Sequence, residues 1–171
     1  MQEFTKKQIK GIINIINSEP GKTRPALQTM RICRDGYAYI TNGYVAIRWR
    51  FETEVVPKDD NQKEFVIPVE NLIRWYKLAG SRDCLNELSI LELEDKENIT
   101  QYPDLAKIFK EKCKEPSCET LHIDLNLIEM VNQATNCRNY HGYSVTIHGH
   151  LLSGVELKRG SSEFLIMGLN T

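Results

Sequence analysis

The side chains best suited to metal chemistry are cysteines and histidines in the C-terminal half of the chain. Cys113, Cys118 and His122 follow one another closely, and Cys137 and His141 come later. Thiolate and imidazole are the ligands of tetrahedral zinc, so a zinc-stabilised nucleic-acid binder is one interpretation. The first three residues are separated by gaps of four and three residues, however, and lack the two-residue gap of common zinc pairs. We therefore expect no metal and no other cofactor.

His148 and His150 alternate but lack a third partner for a metal, so we predict surface histidines. The candidates for catalysis are two pairs of acids, of which Asp59 and Asp60 lie in a polar stretch. Glu92 and Glu94 alternate along a segment that we predict to be an exposed strand. The sequence has no glycine-rich phosphate loop after a strand, no Gly-x-Ser-x-Gly and no His-Glu-x-x-His. We predict solvated charges here and a protein that is not an enzyme.

Composition places the chain among ordinary globular domains. Its 171 residues are 41% hydrophobic and 26% charged, enough for one domain with an inserted element. No apolar run approaches the roughly 18 residues of a membrane span, and the N-terminus lacks the apolar region of a signal peptide. We expect a cytoplasmic protein that does not contact membranes, and five cysteines that remain thiols.

The balance of charge limits how the chain could bind nucleic acid. It has 22 basic and 23 acidic residues, for a net charge of −1. A basic surface over the whole molecule is therefore excluded. Any contact with a phosphate backbone must come from basic residues that the fold gathers on one part of the surface.

The elements that would position such residues begin with a helix over 5–17. Thr5 is a suitable N-cap, and Ile9, Ile12, Ile13 and Ile16 recur at the spacing of one apolar helical stripe. Gly11 and the β-branched isoleucines weaken a helix, since both types have poor helix propensity. Packing against the rest of the protein must therefore stabilise it.

A meander of strands follows this helix. The segment 28–34 leads into an Asp35-Gly36 turn, and a second strand ends at the turn Thr41-Asn42-Gly43. Over 45–51, apolar residues alternate with Ala46, Arg48 and Arg50. This pattern predicts an antiparallel meander with one face buried and the other facing water.

The rest of the chain repeats the order of strand, helix and meander. Pro68 separates a short strand from a second helix over 69–79, and a third helix runs from Asp124 to about Asn136. The segment 95–120 is polar and contains a short helical stretch. We predict further strands over 88–93, 143–148, 151–158 and 163–167. The recurring order is a sign of an internal structural repeat.

Four segments resemble the bacterial DNA sliding-clamp family, the beta subunit of DNA polymerase III. Residues 35–47, Asp-Gly-Tyr-Ala-Tyr-Ile-Thr-Asn-Gly-Tyr-Val-Ala-Ile, are similar to its opening module, with Asn42 in place of an aspartate. Residues 65–68, Phe-Val-Ile-Pro, with their helix resemble its second module. Tyr-Pro-Asp-Leu at 102–105 is similar to the end of a clamp domain, and 163–167 to its final strand. The four occur in the family's order.

This resemblance implies an α+β fold, of the sliding-clamp type, with an antiparallel sheet and amphipathic helices on one face. It divides the chain into a pair of modules over 1–94, a linker or insertion over 95–120 and a C-terminal module over 121–171. The chain departs from the family in length, because a bacterial clamp subunit carries three domains. It also has Gly168 where the family usually has proline.

The resemblance further implies that basic helix residues meet duplex phosphates without reading bases. Sliding requires contacts that are independent of sequence and easily exchanged, which Coulombic contacts provide. The residues that match this role lie on the first helix, the loop after it and the second helix: Lys6, Lys10, Lys22, Arg24, Arg74 and Lys77. The alternative is that these are ordinary solvated helix faces.

Clamps also hold short apolar peptides of their clients, and matching the last strand assigns Leu165, Met167 and Leu169 to such a groove. The alternative is that these three are core residues of a strand.

The expected partners are thus double-stranded DNA and a DNA polymerase or another replication protein. A ring around DNA would require several copies, hence a homo-oligomer. The main alternative function is a clamp-fold interaction module that does not encircle DNA and modulates a replication or recombination protein.

Overall fold

The computed structural model describes residues 3–19, 21–51, 64–95, 102–110, 125–135, 144–148, 154–159 and 162–167. The five α-helices in these ranges are α1 (Lys6–Ile16), α2 (Val69–Leu78), α3 (Glu87–Leu93), α4 (Leu105–Lys110) and α5 (Leu125–Thr135), and 21–23 and 25–27 are short 3-10 helices. The nine strands are β1 (Phe4–Thr5), β2 (Thr29–Cys33), β3 (Tyr37–Thr41), β4 (Val45–Arg50), β5 (Glu64–Pro68), β6 (Cys84–Leu85), β7 (Ser144–His148), β8 (Gly154–Arg159) and β9 (Ser162–Met167).

Seven of these strands form one antiparallel sheet in the order β5-β2-β3-β4-β9-β8-β7, and β1 pairs with β6. The central pair is β4 with β9, in which Ala46 lies opposite Leu165. On one side of this pair lie β3 and β2, and on the other side lie β8 and β7. The meanders β2-β3-β4 and β7-β8-β9 are therefore related by an approximate two-fold axis. The helix α1 precedes one meander and α5 the other. The helix and the meander of the predicted internal repeat thus occur twice in the described residues.

Alternate residues of the strands face opposite sides of the sheet. The side that carries α1, α2 and α5 is called the helix face, and the opposite side the outer face. Strand residues such as Ile32, Ile40, Ile47 and Trp49 join the isoleucines of α1 in one continuous buried core on the helix face. This confirms the predicted α+β fold, with the amphipathic helices α1, α2 and α5 on one face.

The capping of α1 confirms the predicted start of the helix. The hydroxyl oxygen of Thr5 accepts from the backbone N–H of Gln8, and the Gln8 side chain accepts from the backbone N–H of Thr5. This capping box satisfies N–H groups that the first turn leaves unpaired. The buried stripe is displaced around the helix from the predicted one, because Ile15 is fully buried while Ile13 is only partly buried.

Gly11 has a role that helix propensity does not reveal. A Cβ atom at this position would lie 2.3 Å from the backbone nitrogen of Ala134 on α5. The backbones of α1 and α5 therefore approach more closely than any side chain would allow. A residue that weakens the isolated helix is required by the packing of two helices.

Two predictions about the elements are wrong. Residues 88–93 belong to the helix α3 and not to a strand. The Asn86 side-chain oxygen caps this helix by accepting from the Ser89 N–H at 3.1 Å. Ile90 and Leu93, one helical turn apart, are both buried. The outer face is also not simply exposed to water. The short helix α4, predicted as a helical stretch in a polar segment, lies across it and covers a second apolar cluster.

Candidate functional site

The outer face carries a small apolar cluster that is separate from the main core. Its buried members are Tyr39, Ala46, Leu105, Phe109 and Leu165. The guanidinium carbon of Arg48 lies 4.7 Å from the ring centroids of both Tyr37 and Phe109. Such cation–π contacts bind an arginine to aromatic faces and keep water off the rings. Together these contacts hold α4 against the centre of the sheet.

A groove of about 220 Å³ lies beside α4, between it and the turn that joins β3 to β4. One wall is formed by Pro103, Leu105 and Ile108. The floor and the opposite wall are Leu27, Thr41, Gly43, Val45, Ala46 and Leu165, and Arg24 also lines the groove. The lining is mostly apolar with a single charged side chain, which suits apolar side chains of a peptide.

The turn at the edge of this groove is fixed by buried polar groups. Asn42 is 0% exposed, and its side-chain oxygen accepts from the N–H groups of Tyr44 and Val45 at 2.9 and 2.8 Å. Its amide nitrogen donates to Ser18 Oγ at 2.7 Å, and this hydroxyl in turn donates to the Ile15 carbonyl. Gly43 has a φ of 97°, a conformation that favours glycine. An asparagine meets this geometry because the position needs both an acceptor and a donor.

A second cavity of about 230 Å³ lies around the same segment and shares Pro103 and Leu105 with the groove. Its polar members include Arg31, which is buried and forms an ion pair with Glu64. The Arg31 guanidinium also lies 4.5 Å from the ring centroid of Tyr102. The buried charge is thus neutralised and stacked, which lowers the cost of removing it from water.

The titratable groups of this cavity are poorly suited to proton transfer. Burial, and then the negative charge of Glu64, raises the pKa of the Cys33 thiol to about 12. Burial also raises the pKa of Tyr39, whose hydroxyl donates to Asp35, and burial raises that of Tyr102. All three groups are protonated at neutral pH. They would not act as general bases or nucleophiles there.

The predicted phosphate-binding residues occupy different surroundings. The ammonium of Lys6 donates to the Ala79 carbonyl at the end of α2 and lies 5.0 Å from the ring centroid of Tyr76. It therefore joins the start of α1 to the end of α2. Arg24 lies at the apolar groove, and Lys22 is exposed on the turn before it.

The remaining three predicted residues lie on helices of the helix face. Lys10 is exposed on α1, and Arg74 and Lys77 are exposed on α2, which packs beside α1. Acids are present on the same layer, since Glu70 on α2 and Glu129 on α5 are exposed as well. The fold thus brings Lys10, Arg74 and Lys77 to one side of the molecule, away from the outer-face groove.

Of the predicted groove residues, the structure describes one side chain. Leu165 is 7% exposed, belongs to the outer-face cluster and lines the groove. Met167 ends β9, and its side chain lies outside the described part, as does Leu169. Sequence reasoning did not identify the other wall, formed by Pro103 and Ile108. The signal available was a pair of apolar residues, Ile108 and Phe109, within an otherwise polar segment.

The candidate zinc ligands Cys113, Cys118, His122, Cys137 and His141 lie outside the described residues. Among the residues that the structure does describe, no three His, Cys, Asp or Glu side chains are grouped so that they could hold a metal ion. Within the same ranges, no helix has both the length and the apolar character needed to cross a bilayer.

Comparison with known proteins finds solved structures of similar architecture. No protein-family model and no curated protein matches the sequence. The DNA polymerase III beta subunit of Borrelia burgdorferi, solved with a natural product, matches 99% of this chain at 13% identity and a TM-score of 0.58. The Helicobacter pylori beta clamp bound to a DNA ligase peptide matches 99% at 10% identity and a TM-score of 0.61.

These matches extend over much, but not all, of the solved proteins. The chain spans 64% of the Borrelia subunit and 65% of the Helicobacter clamp. A second Helicobacter clamp, in complex with diflunisal, gives a TM-score of 0.57 at 11% identity over 64% of its length. The chain, an antiparallel sheet with α1, α2 and α5 on one face, has the fold of the bacterial DNA sliding clamps.

Proposed function

We propose that this protein is a non-enzymatic accessory protein of DNA replication that holds an apolar peptide of a replication protein in the outer-face groove. The observation that carries the proposal is the groove itself, whose lining is apolar apart from Arg24 and the Thr41 side chain. An extended peptide can insert alternate side chains into such a groove, and the arginine can pair with an acidic group of the ligand.

A second part of the proposal concerns the helix face. Lys10, Arg74 and Lys77 would contact duplex phosphates without reading the sequence, supported by their exposure on adjacent helices. Lys22 and Arg24 would extend this contact only if the duplex reached the turn after α1. Lys6 contributes less, because its ammonium already contacts the Ala79 carbonyl.

The peptide proposal can be tested with the DNA ligase peptide carried by the Helicobacter clamp as the probe. Its binding to the wild type is measured by fluorescence anisotropy. Ile108→Ala should weaken binding about tenfold, or about 1.4 kcal/mol, because it removes part of one wall of the groove. Lys107→Ala, on the exposed side of the same helix, is the matched control and should bind as the wild type does. Equal affinities of the two variants would reject the groove.

The phosphate proposal predicts binding that depends on salt and not on sequence. Anisotropy with two unrelated duplexes should give the same affinity. A Lys10→Gln, Arg74→Gln, Lys77→Gln variant should reduce the slope of log affinity against log salt by about 0.9 for each phosphate that it no longer neutralises. Lys107→Gln removes a positive charge elsewhere and should leave the slope unchanged. A slope that the triple variant shares with the wild type would exclude this surface.

One observation favours the alternative, a clamp-fold interaction module that does not encircle DNA. The backbone N–H of Asp95 donates to the Val66 carbonyl at 2.9 Å, so the chain itself occupies part of the β5 edge of the sheet. A ring built by joining copies edge to edge needs both edges open. Peptide binding without any DNA binding would support this alternative over the first proposal.

A further inference from the structure

The second cavity, of about 230 Å³, borders the same segment of chain as the groove. The two spaces share Pro103 and Leu105, and Pro103 is exposed. A peptide that lies in the groove can therefore continue over Pro103 to the cavity. The cavity has room for a side chain, since one water molecule needs only about 15 Å³.

The charged residues that line the cavity leave it with an excess of negative charge. Among the residues that the structure describes, these are Arg31, Glu64 and Asp104. Arg31 forms an ion pair with Glu64, so this pair does not balance the charge of Asp104. Asp104 is exposed, and its Oδ1 accepts from the Lys107 N–H at 2.9 Å. This capping bond fixes the carboxylate at the start of α4.

The Cys33 thiol shows the sign of the electric field in the cavity. Burial, and then the negative charges of Glu64 and Asp35, raise its pKa to about 12, whereas Arg31 lowers it by less. The acids therefore outweigh the arginine at this position. A field of this sign favours a positively charged ligand over a negative one.

The buried arginine is also poorly placed to bind an anion. Its guanidinium pairs with Glu64, lies 4.5 Å from the ring centroid of Tyr102 and donates through Nε to the Thr29 hydroxyl at 3.4 Å. An anion could reach Arg31 only by displacing Glu64. That exchange would leave the Glu64 carboxylate without its pair, which is costly for a partly buried group.

The uncharged part of the cavity suits the aliphatic portion of a basic side chain. Tyr39, Tyr102 and Leu105 supply aromatic and apolar surface. Lysine and arginine lay their methylene groups along such a surface while the charged end reaches polar groups. The cavity thus combines an apolar wall with carboxylates, which is the pairing that a basic side chain requires.

We propose that the peptide ligand carries a lysine or arginine beside its apolar residues, and that this basic side chain enters the second cavity. Its aliphatic portion lies against Tyr39 and Leu105, and its charged end lies near Asp104 and Glu64, where charge-assisted hydrogen bonds form. The inference rests on the proposed function, because the apolar residues in the groove bring the basic residue to the cavity. It adds a charge requirement to the choice of partner.

Extended forms of the DNA ligase peptide carried by the Helicobacter clamp test this requirement on the full chain. The peptide is extended at one end or the other by Gly-Gly-Lys, by Gly-Gly-norleucine, which has a similar aliphatic chain without the charge, or by Gly-Gly-Glu. Fluorescence anisotropy measures each affinity. At one of the two ends, the lysine form should bind about fivefold tighter than the norleucine form, as expected of partly exposed charges. The glutamate form should bind more weakly than either.

Two variants assign the effect to the cavity. Asp104→Asn removes the charge and keeps an oxygen that can cap α4, so the preference for lysine should fall to about twofold or less. Asp83→Asn is the matched control, because Asp83 is also exposed and accepts from a backbone N–H, that of Gly80, but does not line the cavity. It should keep the full preference.

The possible failures can be told apart. If the wild type binds the unextended peptide but shows no preference for lysine at either end, the inference is wrong and the groove proposal stands. A preference for lysine that Asp104→Asn leaves intact, or that Asp83→Asn removes equally, also overturns the inference. If no form of the peptide binds, the groove proposal is rejected and the inference fails with it.

Discussion

The helix face and the outer face are built from alternate residues of the same strands, yet their physical properties differ. On the helix face, Ile12, Ile40 and Trp49 are fully buried in one continuous apolar core. On the outer face, a smaller cluster shares its surface with Arg31 and Arg48 and borders cavities of about 220 and 230 Å³. The first face determines the stability of the fold, and the second leaves room for a ligand.

The comparison is tested most strongly by removing one phenylalanine from each face. Phe4 contacts the rings of Trp49 and Phe51 at centroid distances of 5.6 Å, whereas Phe109 covers the outer face from a six-residue helix. We expect Phe4→Ala to lower the free energy of unfolding by about 4 kcal/mol. Phe109→Ala should cost about 2 kcal/mol, because α4 can move into the space. Urea denaturation measures the free energy of unfolding of both variants. Equal losses would mean that the two faces contribute equally to stability.

Replacing each of two glycines by alanine distinguishes the cost of a steric overlap from the cost of backbone strain. Gly11→Ala should cost about 3 kcal/mol, because the added Cβ would overlap the α5 backbone and force the helices apart. Gly36→Ala should cost about 1 kcal/mol, because its φ of 80° is strained for alanine although the space is open. Thermal unfolding gives both values. A tolerated Gly11→Ala would show that α1 and α5 can separate at little cost.

A substitution in the turn beside the groove should have a smaller effect on the free energy of unfolding. Asn42→Asp should cost about 1 kcal/mol at neutral pH, because a buried carboxylate would face a Ser18 hydroxyl that already donates to Ile15. The loss should shrink below about pH 4, where a protonated carboxyl can donate again. Ser18→Ala is the control, since the aspartate penalty should be reduced in that background. A penalty that is independent of pH would argue against this hydrogen-bond arrangement.

At neutral pH, the smallest effect on stability is expected from the thiol on the outer face. The pKa of Cys33 is raised from 9.0 to about 12 in the folded protein, so the folded state binds this proton more tightly than the unfolded state. Its contribution is fully present below pH 9 and is lost as pH rises from there towards 12. Cys33→Ala should therefore unfold with a shallower dependence on pH in this range. An identical dependence in the variant and the wild type would contradict the raised pKa.

Local patterns predicted much of the helix face. The isoleucine spacing indicated α1, the Asp35-Gly36 and Thr41-Asn42-Gly43 turns indicated β2 to β4, and period-two alternation indicated which residues of β4 face the main core. Such signals are available because hydrophobic periodicity depends on neighbours a few residues apart. The same reasoning misassigned 88–93, where alternating apolar residues within a short segment fit a strand and a helix about equally well.

The outer face was less predictable because its parts are distant in the chain. Leu165 was assigned to a groove, but the groove that it shares with Thr41, Pro103 and Ile108 joins three segments that no local pattern connects. The role of Lys6 was likewise hidden, because the Ala79 carbonyl that it contacts lies 73 residues away. A basic residue on the polar side of an amphipathic helix is not necessarily exposed, because a second helix can pack beside the first.

By itself the sequence determined most of the elements, the core-facing side of β4 and the α+β class, because these follow from side-chain periodicity and turn chemistry over short distances. The tertiary structure alone decided that α1 and α5 meet at Gly11, that α4 covers the outer face and that one sheet edge is closed. Those features depend on which distant backbones lie side by side, and the packing of the whole core sets that arrangement.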